Sequence, residues 1–200
     1  MLINVNKGIL NNLYKKSFWR DNMDFFKIYL VKSPKVDRIS SDLIKLCSKI
    51  PKIITFDNKA YSAVNYNPDD YFSNLNNISK FFSKGEVVPL LMTNFKFLYL
   101  LKESQNYDLR INKFELSEGE DEEFEDMIFQ QSEDLEELKK YLSQTHQKIK
   151  YMTFIYVDNR NFIKISQTGV ISITEEFGTE QEKKIILDKV IGLLVEGRVN

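Results

Sequence analysis

The C-terminal third of the chain carries the pattern that most restricts its fold. Three apolar runs lie at residues 150–157, 162–166 and 170–175, and short polar turns separate them. In the middle hairpin every second residue is an isoleucine, so four isoleucines share one face: Ile163, Ile165, Ile171 and Ile173. This alternation predicts a three-stranded antiparallel meander with one face in a core and the other face free.

A capped amphipathic helix is predicted directly after this meander. Thr179 and Glu182 have the spacing of a capping box, Glu180 complements the helix dipole, and Gly197 is placed to end the helix. The apolar stripe of the helix consists of Ile186, Leu187, Val190, Ile191 and Leu194. We therefore expect this helix to pack on the apolar face of the meander.

The sequence pattern of the rest of the chain predicts further strands and helices. Strands are expected at residues 25–31, 52–56, 59–64, 87–92, 95–101 and 107–116, and helices at residues 9–19, 34–49, 67–84 and 133–145. The predicted fold class is α+β, with amphipathic helices packed on antiparallel sheets. We divide the chain into an N-terminal half (1–116), an acidic mobile segment (117–132) and a C-terminal unit (133–200).

An acidic block interrupts an otherwise basic chain. Of the 29 acidic residues, twelve lie between Lys113 and Lys139 with no basic residue among them, and the whole chain has 28 basic residues. We interpret the block as a solvated face or a flexible insert, because only Phe124, Ile128 and Phe129 offer core positions within it. The alternative is that the block covers a basic surface until a polyanion or a partner displaces it.

Composition favours an intracellular protein, cytoplasmic or nuclear. The chain has no run of 18 apolar residues and no signal-peptide pattern, so we expect no contact with a membrane. Cys47 is the only cysteine, which excludes an internal disulfide. The use of 23 lysines against 5 arginines is typical of AT-rich genomes, such as those of low-GC bacteria, phages and large DNA viruses.

Candidate catalytic residues are few. His146 is the only histidine, which excludes a histidine metal triad, and it lies at the expected end of a helix. Cys47 falls on the apolar face of a predicted helix, as a small buried hydrophobe does. Glu122, Glu123 and Asp126 share one possible helical turn, but the acidic block is not the rigid setting of a magnesium site. With no glycine-rich phosphate loop either, we expect no cofactor and favour a protein that is not an enzyme.

A resemblance to a known family appears at the C-terminal hairpin. Residues 163–174 have the sequence Ile-Lys-Ile-Ser-Gln-Thr-Gly-Val-Ile-Ser-Ile-Thr and precede the capped helix. This order resembles the hairpin-plus-helix half of a TATA-binding-protein repeat, over about residues 151–196. The resemblance implies a helix-on-sheet fold and, because residues 25–82 have a matching element order, two related halves. Glu175 replaces a family glycine and the paired phenylalanines of the family have no placed counterpart, so intercalation between bases is not implied.

The free face of the hairpin is the predicted binding surface. Four polar residues alternate with the isoleucines and so lie on this face: Lys164, Ser166, Ser172 and Thr174. For phosphate contacts we expect Lys150, Arg160 and Lys164.

Two classes of binding protein and one class of enzyme fit this surface. The leading hypothesis is a non-enzymatic subunit of a nucleic-acid-handling assembly, such as a viral or phage transcription or genome-maintenance complex. Its partners would be DNA or RNA and other protein subunits. The alternative is a protein-protein adaptor in which residues 87–101 pair with the sheet edge of another chain. A metal-dependent, nuclease-like enzyme is the third and least favoured hypothesis.

Overall fold

The structure, a computed structural model, describes residues 23–32, 36–47, 52–56, 59–119, 122–129, 135–156, 161–174 and 179–196. These residues form eight strands: β1 (Met23–Val31), β2 (Lys52–Phe56), β3 (Lys59–Asn65), β4 (Val87–Pro89), β5 (Leu109–Leu116), β6 (Ile149–Tyr156), β7 (Asn161–Ser166) and β8 (Val170–Thr174). They also form seven α-helices: α1 (Val36–Cys47), α2 (Pro68–Ser73), α3 (Leu75–Ser83), α4 (Asn94–Glu103), α5 (Glu122–Phe129), α6 (Leu135–Gln144) and α7 (Glu180–Glu196). A short 3-10 helix, Ser104–Tyr107, follows α4.

All eight strands belong to one antiparallel sheet. Seven of them have the order β2-β3-β1-β8-β7-β6-β5, and β4 pairs with β1 beside this path. Strand β1 pairs with β3 along one edge, while its other edge pairs first with β8 and then with β4. Strands from the predicted N-terminal half and from the C-terminal unit therefore share one sheet, and the predicted α+β class is confirmed.

One face of the sheet carries the main core. The four isoleucines of the hairpin are completely buried there, as their alternation predicts. Helices α4 to α7 cover this face and bury the following side chains against it: Phe97, Leu98, Leu100, Phe124, Ile128, Leu138, Leu142, Ile186, Val190 and Ile191. Each large apolar side chain buried in this way contributes roughly 1.5–3 kcal/mol of transfer free energy.

The second face of the sheet is covered at β1 and β3. Tyr29 and Val31 alternate with the main-core residues of β1 and pack with Leu43 of α1 and Ile78 of α3. Among the described residues, this smaller apolar cluster includes none from β5 to β8. The second face of those four strands is therefore left without an apolar helix layer in the described part of the chain.

The capping box of the last helix is present as predicted. The Thr179 amide donates a hydrogen bond of 2.8 Å to Glu182 Oε2, and the Glu182 amide donates one of 3.3 Å to Thr179 Oγ1. The three-stranded meander, the β2–β3 hairpin and the strand at residues 25–31 are also confirmed.

The strand predicted at residues 95–101 is wrong, because these residues belong to helix α4. Thr93 caps this helix by accepting a 3.3 Å hydrogen bond from the Lys96 amide. A short, largely apolar run fits a buried strand and a buried helix equally well, and here Thr93 favours the helix. The strand predicted at residues 87–92 is shorter than expected and ends at Pro89.

Other predicted elements differ in their extent. The helix expected at residues 67–84 is two helices, α2 and α3, with a break at Asn74. Helix α5 lies inside the acidic block, and its Phe124 and Ile128 are buried at the positions that the sequence singled out. The helix predicted at residues 9–19 lies outside the described residues.

Gly169 holds the β7–β8 turn close to the segment that follows β4. Its φ is +73°, and a Cβ atom there would lie 1.8 Å from the carbonyl oxygen of Leu90. The turn is bonded on both sides, since the Ile28 amide donates to the Gly169 carbonyl at 3.2 Å and the Met92 amide donates to the Gln167 carbonyl at 2.9 Å.

We expect Gly169→Ala to lower the free energy of unfolding by roughly 2–5 kcal/mol. The left-handed backbone costs an L-residue about 1–2 kcal/mol, and the overlap with Leu90 adds about 1–3 kcal/mol. Gly85→Ala is the matched control, because Gly85 has a φ of +67° but no atom within 4 Å of its Cβ position. Urea denaturation of both variants measures the difference, and equal losses would contradict a close contact at Leu90.

Candidate binding face of the sheet

The candidate site is the second face of strands β5 to β8, here termed the polar face. Its residues alternate with those of the main core, and the strand register places Lys164 between Thr153 and Ser172. In the next row, Tyr151 lies between Glu115 and Ser166. The polar face thus consists of Arg110, Lys113, Glu115, Tyr151, Thr153, Ile155, Phe162, Lys164, Ser166, Val170, Ser172 and Thr174.

Three of the predicted site residues have the expected position and one does not. Lys164, Ser166 and Thr174 are half-buried on the polar face. Ser172 is only 4% exposed, so the expectation that it is free to bind is wrong. Strand β8 is an interior strand, and Ser172 lies between Lys164 on β7 and Phe25 on β1, whose longer side chains flank it on both sides.

Two hydroxyl groups of the polar face, those of Ser166 and Thr174, have partners within the hairpin. Ser166 Oγ lies 2.9 Å from Thr168 Oγ1 and accepts a 3.2 Å hydrogen bond from the Val170 amide. Thr174 Oγ1 donates a 2.9 Å hydrogen bond to Asn161 Oδ1. These hydroxyls stabilise the hairpin, so the lysines are the better candidates for contacts with a ligand.

Glu115 and Tyr151 form the centre of the polar face. The Tyr151 hydroxyl donates a hydrogen bond to the Glu115 carboxylate. Lys150 is exposed, and its Nζ lies 3.5 Å from Glu115 Oε1. Lys164 Nζ lies 3.5 Å from the centroid of the Tyr151 ring, in cation–π contact. The structure thus joins two predicted site residues, Lys150 and Lys164, through a Glu–Tyr pair that was not predicted, whereas Arg160 lies outside the described residues.

These contacts change the acidity of the groups involved. Burial, together with the hydrogen bond to Glu115 and its negative charge, raises the pKa of Tyr151 to about 12. The hydrogen bond from Tyr151, followed by the charges of Lys150 and Lys164, lowers the pKa of Glu115. Burial lowers the pKa of Lys164. The negative charge of Glu115 acts in the opposite direction, and the positive charge of Lys113 lowers this pKa further. Tyr151 therefore stays a neutral hydrogen-bond donor to Glu115 throughout the physiological pH range.

Positive charge dominates the strands that form this face. Strands β5 to β8 carry a single carboxylate, Glu115, and β1 adds Asp24, which pairs with Lys183 of α7 on the opposite face. Buried Lys27 donates a hydrogen bond to the Thr168 carbonyl. The basic residues of these strands are Lys27, Arg110, Lys113, Lys150 and Lys164.

The acidic helix α5 packs on the opposite face of the sheet. Phe124 contacts the ring of Phe114 edge-on at 5.3 Å and stacks on Tyr141 at 5.7 Å, measured between ring centroids. Phe114 pairs in register with Met152, a residue of the main core. Glu122, Glu123 and Asp126, the described carboxylates of α5, therefore do not cover the polar face.

Neither a metal centre nor a membrane-spanning helix is found in the described ranges. No three His, Cys, Asp or Glu residues in them are grouped so that they could hold a metal ion. His146 is exposed and follows α6 with a left-handed φ of 55°. No described helix is both long and apolar enough to cross a membrane.

Comparison with known proteins gives no match. The sequence fits no protein-family model, and neither the curated proteins nor the solved structures yielded a similar one. The function is therefore inferred from the residues of the polar face and their geometry.

We expect Glu115→Gln to lower the pKa of Tyr151 from about 12 toward the ordinary value of 10. The substitution removes the negative charge that opposes ionisation of the phenol, while burial still holds the pKa above that value. NMR titration of the Tyr151 ring measures the change. Glu118→Gln removes a nearby exposed carboxylate and is the control, so an equal effect of both substitutions would contradict a specific Glu115–Tyr151 pair.

Proposed function

We propose that this protein is a non-enzymatic binding subunit of a nucleic-acid-handling assembly and that its polar face contacts nucleic acid. The observation that carries the proposal is the excess of lysine and arginine over a single carboxylate on strands β5 to β8. Basic side chains that bind phosphates release condensed counterions, and this release supplies most of the sequence-independent affinity for nucleic acid. Lysines position a phosphate backbone without reading bases, so we expect weak sequence preference.

The aromatic residues of the polar face favour a single strand over a duplex. Tyr151, Phe162 and the neighbouring Phe25 of β1 are half-buried, so part of each ring is accessible. Single strands bind to sheets that combine accessible rings, on which bases stack, with basic groups along the backbone. A duplex keeps its base faces inside the helix, where these rings cannot stack on them.

Lys164 is suited to exchange partners when a strand binds. Its ammonium group lies over the Tyr151 ring, at the position that a stacked base would take. A cation–π contact at an exposed site is worth about 0.5–1 kcal/mol, and a charge-assisted hydrogen bond to phosphate is a comparable or stronger replacement. Binding would then free the ring and place the lysine on the backbone, while Glu115 limits the affinity by repelling phosphate.

The wider setting that we propose is an intracellular viral or phage transcription or genome-maintenance complex. The 23 lysines against 5 arginines are typical of AT-rich genomes, such as those of phages and large DNA viruses, and bear on the source of the chain rather than on its activity. A TATA-binding-protein-like repeat at residues 151–196 stays part of this proposal. Other protein subunits are its expected partners.

A protein-protein adaptor is the second candidate, and the position of strand β5 favours it. β5 is an end strand of the sheet, so one of its edges pairs with no strand in the described part of the chain. Residues 87–101, from which edge pairing was expected, form β4 and α4 instead. Two register shifts and the charges of Arg110, Lys113 and Glu115 oppose the addition of a strand to β5, so we place this candidate second.

We expect the protein to bind a fluorescein-labelled oligothymidylate with an affinity that falls steeply as salt rises. Lys113→Gln and Lys164→Gln should each weaken binding and reduce the slope of log K against log salt by about 0.7 for each phosphate that is no longer neutralised. Fluorescence anisotropy over a range of salt concentrations measures both effects.

The matched control is Lys102→Gln, since Lys102 is an exposed lysine of α4 and lies outside the polar face. It should change neither the affinity nor the slope beyond a general charge effect. Affinity that is absent at low salt, or indifferent to salt, would reject the nucleic-acid proposal and favour the adaptor.

A further inference from the structure

A second surface lies on the helix-covered side of the sheet, between helices α4 and α6. It is an open groove of about 500 Å³, closed at one end by the β7–β8 turn and the start of β6. Its floor and walls are largely apolar and include Met92, Phe95, Leu98, Leu142 and Ile149. A concave apolar surface of this volume is suited to take one or two side chains of a ligand.

The frame of this groove is held together by hydrogen bonds. Asn94 of α4 donates a 2.7 Å hydrogen bond from Nδ2 to the Gln147 carbonyl and accepts one of 2.9 Å at Oδ1 from the Ile149 amide. The Met92 amide donates to the Gln167 carbonyl of the β7–β8 turn at 2.9 Å. These bonds attach the α4 wall to the closed end of the groove, so less ordering of that wall has to accompany binding.

The rim of the groove is basic. Lys139 and Lys148 line it, and none of the described lining residues is acidic. Lys139 is paired with Glu136 at 2.6 Å and lies 4.6 Å from the centroid of the Phe95 ring. Lys148 is exposed, and within the described ranges its ammonium group makes no ion pair or hydrogen bond. A negatively charged group in the groove would therefore gain a partner without displacing one.

Apolar surface is also exposed beside the groove. Leu91 is 56% exposed, although the next residue, Met92, lines the groove and is buried. The exposed side chain of Gln167 adds hydrogen-bonding groups at the turn. A ligand that matches the groove thus has an apolar body and one anionic end close to Lys148.

We infer that this groove binds a segment of a partner protein that carries an apolar side chain next to a carboxylate. The choice of partner follows from the balance of charge and apolar surface. A nucleic-acid strand carries a phosphate at every nucleotide, whereas the groove offers two lysines above an apolar floor. An acidic peptide with a leucine or phenylalanine anchor matches both the lysines and the apolar floor, and it needs only a single charge to do so. This inference does not depend on nucleic-acid binding, because the polar face and the groove lie on different sides of the sheet.

Three small probes of matched shape test the inference: phenylbutyrate, phenylbutanol and phenylbutylamine. NMR of the amide-labelled protein should show saturable shifts at Phe95, Leu98 and Lys148 with phenylbutyrate. A dissociation constant on the order of 1 mM is expected for a probe of this size. Phenylbutanol should bind roughly two- to five-fold more weakly, and phenylbutylamine more weakly still.

Two substitutions locate the site. Ser143 lines the groove from an exposed position on α6, so Ser143→Trp should fill the groove and abolish the shifts without disturbing the core. Gln144→Trp places the same ring on the adjacent exposed position, outside the groove, and should leave binding unchanged. Lys148→Gln should weaken phenylbutyrate roughly two- to five-fold and leave phenylbutanol unaffected.

Several results would overturn the inference. Equal affinity for the three probes would show that the groove does not select a carboxylate, and the absence of saturable shifts at the groove would show that no site exists there. Binding of phenylbutyrate that survives Ser143→Trp would place it elsewhere. Displacement of phenylbutyrate from the groove by oligothymidylate would assign the groove to nucleic acid, whereas oligothymidylate binding that is unchanged in Ser143→Trp keeps the two surfaces separate.

Discussion

The pairing of β1 with β8 is the constraint on which the rest of the structure depends. β1 comes from the first part of the chain and β8 from the last, and they lie side by side near the middle of the sheet. Two side-chain contacts between the distant parts of the chain stabilise this β1–β8 pairing. Lys27 donates a hydrogen bond to the Thr168 carbonyl, and Lys183 pairs with Asp24. Because contacts so distant in sequence must form before either part has a complete sheet, the core and both surfaces of the protein depend on the whole chain.

The sheet built around the β1–β8 pair has two sides with different chemistry. Helices α4 to α7 fill one side with apolar packing and include the acidic helix α5, while the polar face of β5 to β8 keeps its basic residues. The groove between α4 and α6 opens on the helical side, where its basic rim suits an acidic peptide. The two proposals are compatible, because such a subunit would bind a nucleic-acid strand on one side of the sheet and a protein segment on the other.

The candidate site was predictable where strand alternation is regular and not where it is broken. Lys164 and Ser166 follow from the isoleucine repeat alone, since residues of opposite parity face opposite ways. The position of Glu115 cannot be predicted in the same way. Two irregularities in the pairing of β5 with β6 interrupt the regular alternation of β5 residues between the two faces of the sheet. The burial of Ser172 depends on the neighbours of β8, and the identity of β1 as one of those neighbours cannot be read from local pattern.

By itself the sequence determined the elements whose signals are local. The meander, its glycine turn and the Thr179–Glu182 capping box follow from short-range periodicity and side-chain hydrogen bonds. It did not determine that residues 95–101 form a helix, because a short apolar run satisfies strand and helix alike until packing selects one. Only the tertiary structure decided that β1 joins the two ends of the chain and that Lys150, Glu115, Tyr151 and Lys164 meet on one face. Pairing between distant strands depends on the burial of the whole sheet, and no local interaction in the chain encodes it.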